Sequence, residues 1–230
     1  MDGFILIDKP EGITSHDVVD RLRRITGIRR IGHAGTLDPF ATGLLVVGIG
    51  RGATKRLSEI MGKDKTYEAA AVLGATSDTQ DKTGAVVETK ETSEKRNDGA
   101  WPSEDDVKKA LAEFTGPIRQ VPPMYSAKKI AGRKLYELAR AGQEVERKPV
   151  EITIRAIDLL RYAPPALSFR VRCSTGTYVR TLAHDIGAAL GTGAYLSALR
   201  RTSIGDFRVE NAVKIAELNP ENWRGALFSI

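Results

Sequence analysis

The sequence predicts an α+β fold built on a mixed, mainly antiparallel central sheet with helices packed around it. Three observations carry this. Ser168 to Cys173 alternates, with Phe169, Val171 and Cys173 on one face and Ser168, Arg170 and Arg172 on the other, the pattern of a strand with one face in water. Leu44 to Ile49 is an unbroken apolar run suited to a buried central strand. Strand and helix patterns do not alternate regularly enough for a doubly wound sheet. At 230 residues the chain is long enough to bury most of its apolar surface, and one domain over residues 1–230 is expected. No repeat of 20 to 50 residues is visible, which excludes a solenoid.

Taken in order, Phe4 to Ile7 reads as a short strand ended by Asp8-Lys9-Pro10-Glu11-Gly12, so Lys9 falls at a strand end. Ser15 is the expected N-cap of an amphipathic helix in which Val18, Val19, Leu22 and Ile25 recur before Gly27. Its other face carries Arg21, Arg23 and Arg24, which suit a solvated surface or phosphate contact. Thr66 to Leu73 reads as a second buried strand. Lys82 to Asp98 is dense in charge and poor in large apolar residues, which places a mobile insertion around residues 82–100. Ser103 and Asp106 form a capping-box pattern for a helix through Val107, Leu111 and Phe114 that Gly116-Pro117 closes. A short helix over Leu135 to Arg140 follows a basic segment, and another helical segment is expected around Val213 to Leu218.

The net charge of +6 and a pI near 9.4 favour a polyanionic partner. The lone cysteine, Cys173, rules out an internal disulfide and a cysteine-built metal site, and suits the reducing cytoplasm. No apolar run approaches the ~20 residues that span a bilayer, and Asp2 stands where a secretory signal would be basic. With only His16, His33 and His184 and no zinc pattern, no metal is expected. Ser77-Asp78-Thr79-Gln80-Asp81 lacks the spacing and terminal Glu of a calcium loop and reads as a turn.

Residues 32–45, Gly-His-Ala-Gly-Thr-Leu-Asp-Pro-Phe-Ala-Thr-Gly-Leu-Leu, hold one carboxylate, Asp38, between glycines and an apolar run. The glycines allow close backbone approach to a ligand, and Pro39 pushes Asp38 out of the helical region. By itself the pattern fits either a catalytic carboxylate or an Asp-Pro turn.

That segment resembles the catalytic motif of the TruB family of tRNA pseudouridine synthases. Further matches follow in order: Leu6 to Ser15 resembles the family's opening motif, Lys65-Thr66-Tyr67-Glu68 its tyrosine motif, and Gln120 to Lys129 the loop that grips RNA. Gly176 to Leu182 resembles the arginine motif and Leu199-Arg200-Arg201-Thr202 the leucine motif. Six ordered matches are far more specific than one short pattern. The resemblance implies the pseudouridine synthase catalytic fold, catalytic roles for Asp38, Arg180 and Tyr67, and no cofactor. It makes Arg180 the partner that holds Asp38 ionised, Tyr67 the ring that stacks on the extruded base, and His33 the side chain that fills the vacated space. Tyr178, Leu199, Lys9, Lys128, Lys129 and Arg133 would line the substrate site. If Tyr178 to Arg180 is extended, Tyr178 and Arg180 project to the same side. Arg119, Lys128, Lys129, Arg133 and Lys134, among Pro117, Pro122, Pro123 and Tyr125, make a stiffened basic clamp suited to RNA phosphates.

The expected activity is isomerisation of uridine to pseudouridine at position 55 in the T loop of tRNA, by base flipping and aspartate-dependent cleavage of the glycosidic bond. A monomer working without guide RNA is expected, and the accessory C-terminal RNA-binding domain of the PUA type is expected to be absent. A synthase of another RNA, or an RNA-folding or binding protein, are the alternatives.

Overall fold

The computed structural model describes residues 2–89, 101–126, 128–130 and 132–229. In chain order its strands are β1 (Gly3–Lys9), β2 (Ile31–His33), β3 (Thr42–Ile49), β4 (Lys65–Leu73), β5 (Ala75–Ser77), β6 (Val86–Glu88), β7 (Gly116–Gln120), β8 (Lys129–Ile130), β9 (Arg133–Lys134), β10 (Val150–Ala163), β11 (Ala166–Cys173), β12 (Ala194–Ile204), β13 (Phe207–Arg208) and β14 (Val213–Lys214). The helices are α1 (Ser15–Thr26), α2 (Gly50–Met61), α3 (Glu104–Glu113), α4 (Leu135–Arg140) and α5 (Val179–Ala189). The chain divides into two compact units, Met1–Glu68 with Leu199–Ile230, and Ala69–Ala198. Strands β4 and β12 each carry residues of both units. The α+β expectation, with a mainly antiparallel sheet, holds.

In the first unit β1 pairs antiparallel with β3 over its whole length, from Gly3 opposite Ile49 to Lys9 opposite Gly43. Both strands are buried on both faces, which is why Leu44 to Ile49 reads as a continuous apolar run. One face, with Ile5, Ile7, Leu45, Val47 and Ile49, packs on Val18, Val19 and Leu22 of α1. The other, with Phe4, Leu44 and Val46, packs on Ala53, Leu57 and Ile60 of α2. Strand β12 joins β3 in parallel, Arg200 opposite Thr42 and Arg201 opposite Gly43.

In the second unit β10 pairs antiparallel with β11 on one side and β7 on the other. The predicted alternation of Ser168 to Cys173 is present, with Phe169, Val171 and Cys173 fully buried. Helix α3 packs on β10 and carries the predicted capping box, Ser103 with Asp106.

Four details depart from the sequence reading. The N-cap of α1 is Thr14, which forms a capping box with Asp17, while Ser15 is the first helical residue and turns its hydroxyl inward to Leu37. Part of the charged 82–100 segment is regular: Val86–Glu88 pairs with Ala75–Ser77, and residues 90–100 lie outside the described residues. Val213 to Leu218 is not an α-helix. Val213 and Lys214 pair with Ile7 and Asp8 on the free edge of β1, which holds them extended, and a single 3-10 turn over Ile215–Glu217 follows to bury Ile215. Tyr178 to Arg180 is not extended, because Leu182, Ala183, Ile186 and Gly187 bury one helical face and α5 begins at Val179. Tyr178 therefore precedes the helix and Arg180 sits in its first turn, so the shared-side argument for that pair fails.

Gly43 is where the first unit tolerates no side chain. Its φ of +99° is a conformation L side chains rarely adopt, and a Cβ there would overlap the Arg201 carbonyl oxygen. Gly43→Ala should cost at least about 3 kcal/mol in urea unfolding, combining left-handed strain with overpacking. Gly12→Ala, at φ +86° with open space around it, should cost only about 1 kcal/mol.

Candidate active site

Five of the expected site residues, Lys9, His33, Asp38, Tyr67 and Leu199, lie in the first unit. Asp38 is half-buried in the loop between β2 and β3, and the backbone around it is held at every step. Ser15 Oγ accepts from the Leu37 amide at 2.9 Å and donates to the Leu37 carbonyl at 3.3 Å. The Asp38 carbonyl accepts from the Ala41 amide at 3.1 Å. The Pro39 carbonyl accepts from the Gly12 amide at 2.8 Å and from Lys9 Nζ at 3.3 Å. These bonds pin the backbone on both sides of Asp38.

Lys9 ends β1 with its side chain fully buried. Its Nζ also donates to the carbonyls of Pro10 at 2.9 Å and Ile13 at 2.7 Å. Burial pushes its pKa down to about 8, against the opposing pull of Asp38, and the positive charge of Arg201 adds to the lowering while Glu11 and Asp17 oppose it. Arg201 is likewise buried, donating from Nε to the Leu44 carbonyl at 2.8 Å and from Nη2 to the Gly35 carbonyl at 3.0 Å. Strand alternation turns its neighbour to the opposite face, where Arg200 grips Asp8 through two bonds of 3.0 and 2.7 Å. Leu199, beside them on β12, is buried.

His33 ends β2, and its Nδ1 is buried with no hydrogen-bond partner among the described residues. Burial first, then the charge of Arg201, holds its pKa below the usual imidazole range, so the ring is neutral at pH 7. Tyr67 lies on β4 with 7% of its surface exposed.

The other five, Lys128, Lys129, Arg133, Tyr178 and Arg180, lie in the second unit. Arg180 is buried at the start of α5. It donates to the carbonyls of Thr79 and Tyr125, both at 2.7 Å, and stands 3.5 Å from the Asp81 carboxylate. Asp81 is organised in turn by the Thr79 hydroxyl and by the amide and hydroxyl of Thr83, so the turn read over Ser77 to Asp81 is present, its first residue ending β5. One arginine thus ties that turn to the Pro-Pro-Met-Tyr segment. The Tyr178 backbone is gripped at both ends by the buried Gln120 side chain, which donates to its carbonyl at 3.1 Å and accepts from its amide at 2.8 Å. In the basic clamp Lys129 pairs with Lys134 and Ile130 with Arg133, and the Leu135 amide returns to the Lys128 carbonyl at 2.9 Å. Lys128 is half-buried and Arg133 exposed. The clamp is therefore a small hairpin leading into α4. Among the described residues no cluster of His, Cys, Asp and Glu could hold a metal ion.

Sequence reasoning gave no site role to Arg201 or Asp8, read Ser15 as a helix cap and read Asp81 as part of a turn. The signal for Arg201 was present, since consecutive arginines in an otherwise buried strand must face opposite sides, and one of them must point into the core.

A model of the N-terminal domain of TruB family pseudouridylate synthases matches residues 23–179, and one of the tRNA pseudouridylate synthase B C-terminal domain matches residues 180–226. The chain belongs to the TruB family. It is 48% identical over 233 residues to the tRNA pseudouridine synthase B of Syntrophotalea carbinolica, covering 100% of this chain and 74% of that relative. It is 49% identical over 218 residues to that of Dechloromonas aromatica, covering 95% and 70%. Among solved structures it is similar to a chain of a Cbf5-Nop10-Gar1 complex, with TM-score 0.71 and 30% identity over 94% of this chain and 53% of the other. A chain of an H/ACA RNP bound to a substrate RNA containing 2′-deoxyuridine is similar at TM-score 0.67 and 29% identity, covering 94% and 51%. The chain thus spans about half the length of these two structural relatives.

Because the folded pKa of Lys9 lies below its unfolded value of 10.5, the unfolded chain holds the extra proton between about pH 8 and 10.5. Stability contributed at this site therefore rises with pH through that window and is flat below it. The unfolding free energy of the parent minus that of Lys9→Met, measured in urea at a series of pH values, should climb there with a slope of up to one proton.

Proposed function

We propose that this chain isomerises uridine 55 in the T loop of tRNA to pseudouridine, with Asp38 as the carboxylate that acts on the sugar. The observation that carries the reading is Asp38 itself, held on a loop pinned at Leu37, Asp38 and Pro39 in a TruB family chain. The relatives at 48 and 49% identity bear the name tRNA pseudouridine synthase B, which supports tRNA as substrate.

The reaction breaks the bond from C1′ to N1, turns the uracil, and joins C1′ to C5, with a proton leaving C5 and one arriving at N1. No electron is gained or lost, so no redox cofactor is required. A carboxylate suits the sugar centre because it stabilises positive charge at C1′ or attacks it covalently, as in glycoside cleavage. Asp38 must be ionised for either, and nearby cations favour that form. In this reading Arg180 is the cation of the arginine motif and Tyr67 the aromatic wall beside the extruded base. Stacking on an aromatic side chain contributes about 1–3 kcal/mol per base, enough to offset much of the unstacking. His33, neutral at pH 7, occupies the space that the base leaves. Lys9 supports the Asp38 loop through the Pro39 carbonyl, and Tyr178 and Leu199 are assigned to uridine binding by their motifs. Lys128, Lys129 and Arg133 hold the RNA backbone by charge, which makes binding weaken as salt rises. The buried, lone Cys173 suits work in the reducing cytoplasm.

Asp38→Asn should abolish tritium release from tRNA labelled at uridine C5, while tRNA affinity in a filter assay stays within about threefold, as expected for a group acting mainly in the transition state. Release should also require uridine at position 55. Tight tRNA binding by the parent with no release would instead mark an RNA-binding protein.

A further inference from the structure

Arg201 is 1% exposed, and among the described residues no carboxylate lies within ion-pair distance of its guanidinium. Burying an unpaired charge is costly, so its hydrogen bonds identify what the charge is for. They go to the carbonyls of Gly35 and Leu44, which bracket the segment carrying Asp38. One planar fork therefore closes both ends of that segment. A lysine, a point charge on a flexible stem, cannot reproduce the fork.

The strand register sharpens the assignment. Lys9 lies opposite Gly43 across β1 and β3, and Arg201 lies opposite Gly43 across β3 and β12, so a residue without a side chain sits between two buried cations. The cations act on different parts of the loop. Lys9 reaches the Pro39 carbonyl, immediately after Asp38, while Arg201 fixes Gly35 before it and Leu44 where the strand resumes. Gly35 has a φ of +89°, and Arg201 Nη1 stands 3.5 Å from where a Cβ would project there, so the left-handed turn that starts the loop is built against the guanidinium.

We propose that Arg201 is a positioning residue of the isomerisation, clamping the two ends of residues 35–44 so that the Asp38 carboxylate is held at the sugar carbon. It touches no reacting atom and acts through the loop backbone. The proposal rests on Asp38 being the reacting carboxylate.

The test uses the full chain with Arg201→Lys and Arg201→Ala, reading the single-turnover rate of tritium release at saturating tRNA, the tRNA Kd and the unfolding midpoint. Loss of loop position should slow turnover about 100-fold in Arg201→Ala, as misplacement near 1 Å does, with Kd within about threefold. Free guanidinium ion should restore part of that rate by occupying the vacated site. Arg201→Lys should be folded, bind tRNA as the parent does, and turn over at least about tenfold more slowly, since charge is kept and the fork is lost. If Arg201→Ala fails to fold, Arg201→Lys alone decides. A parent-like rate in Arg201→Lys, or a rate loss in either variant matched by equal loss of tRNA affinity, overturns the proposal. Full tritium release by Asp38→Asn would instead overturn the reading of Asp38, which the Arg201 variants do not probe.

Discussion

The close approach of two parallel strands at Gly43 and Arg201 governs the first unit. The backbone at Gly43 leaves no room for a Cβ against Arg201, so β12 can lie beside β3 only because residue 43 is glycine. From that contact follow the buried path of the Arg201 side chain, its reach to Gly35 and Leu44, and the closure of the loop that carries Asp38. The Gly-Leu-Leu that ends the motif is thus a packing requirement that closes the loop carrying Asp38.

The two faces of the strands handle charge differently. On one, Arg200 and Asp8 form a partly exposed pair with fork geometry. On the other, Lys9 and Arg201 are buried and satisfied by five main-chain carbonyls, those of Pro10, Ile13, Pro39, Gly35 and Leu44. Carbonyl dipoles satisfy the donors of these buried cations but carry no net charge to balance theirs. The depressed pKa of Lys9 reports the same environment.

Much of this was legible in the sequence. Local periodicity placed α1, β3, α3, α4 and β11, because each is an amphipathic or fully apolar segment whose pattern reflects its own burial. Asp38 stood out because glycine and proline punctuation around one carboxylate is a local signal. What escaped depends on distant partners. Thr14 displaced Ser15 as the cap because Leu37, more than twenty residues away, takes the Ser15 hydroxyl. Arg180 meets Asp81 and Tyr125 through folding of the second unit, and no spacing along the chain encodes those contacts. The burial of Arg201 had a local signal in the paired arginines, but its acceptors, more than 150 residues earlier, had none.

The central claim is that the Asp38 loop is organised before RNA arrives, and native-state hydrogen exchange of the RNA-free protein tests it most directly. The amides of Gly12 and Leu37, bonded to the Pro39 carbonyl and the Ser15 hydroxyl, should exchange as slowly as the β3 amides of Leu45 and Val47. Opening free energies near zero at Gly12 and Leu37, with β3 still protected, would mean that the loop forms only on binding and would contradict this account.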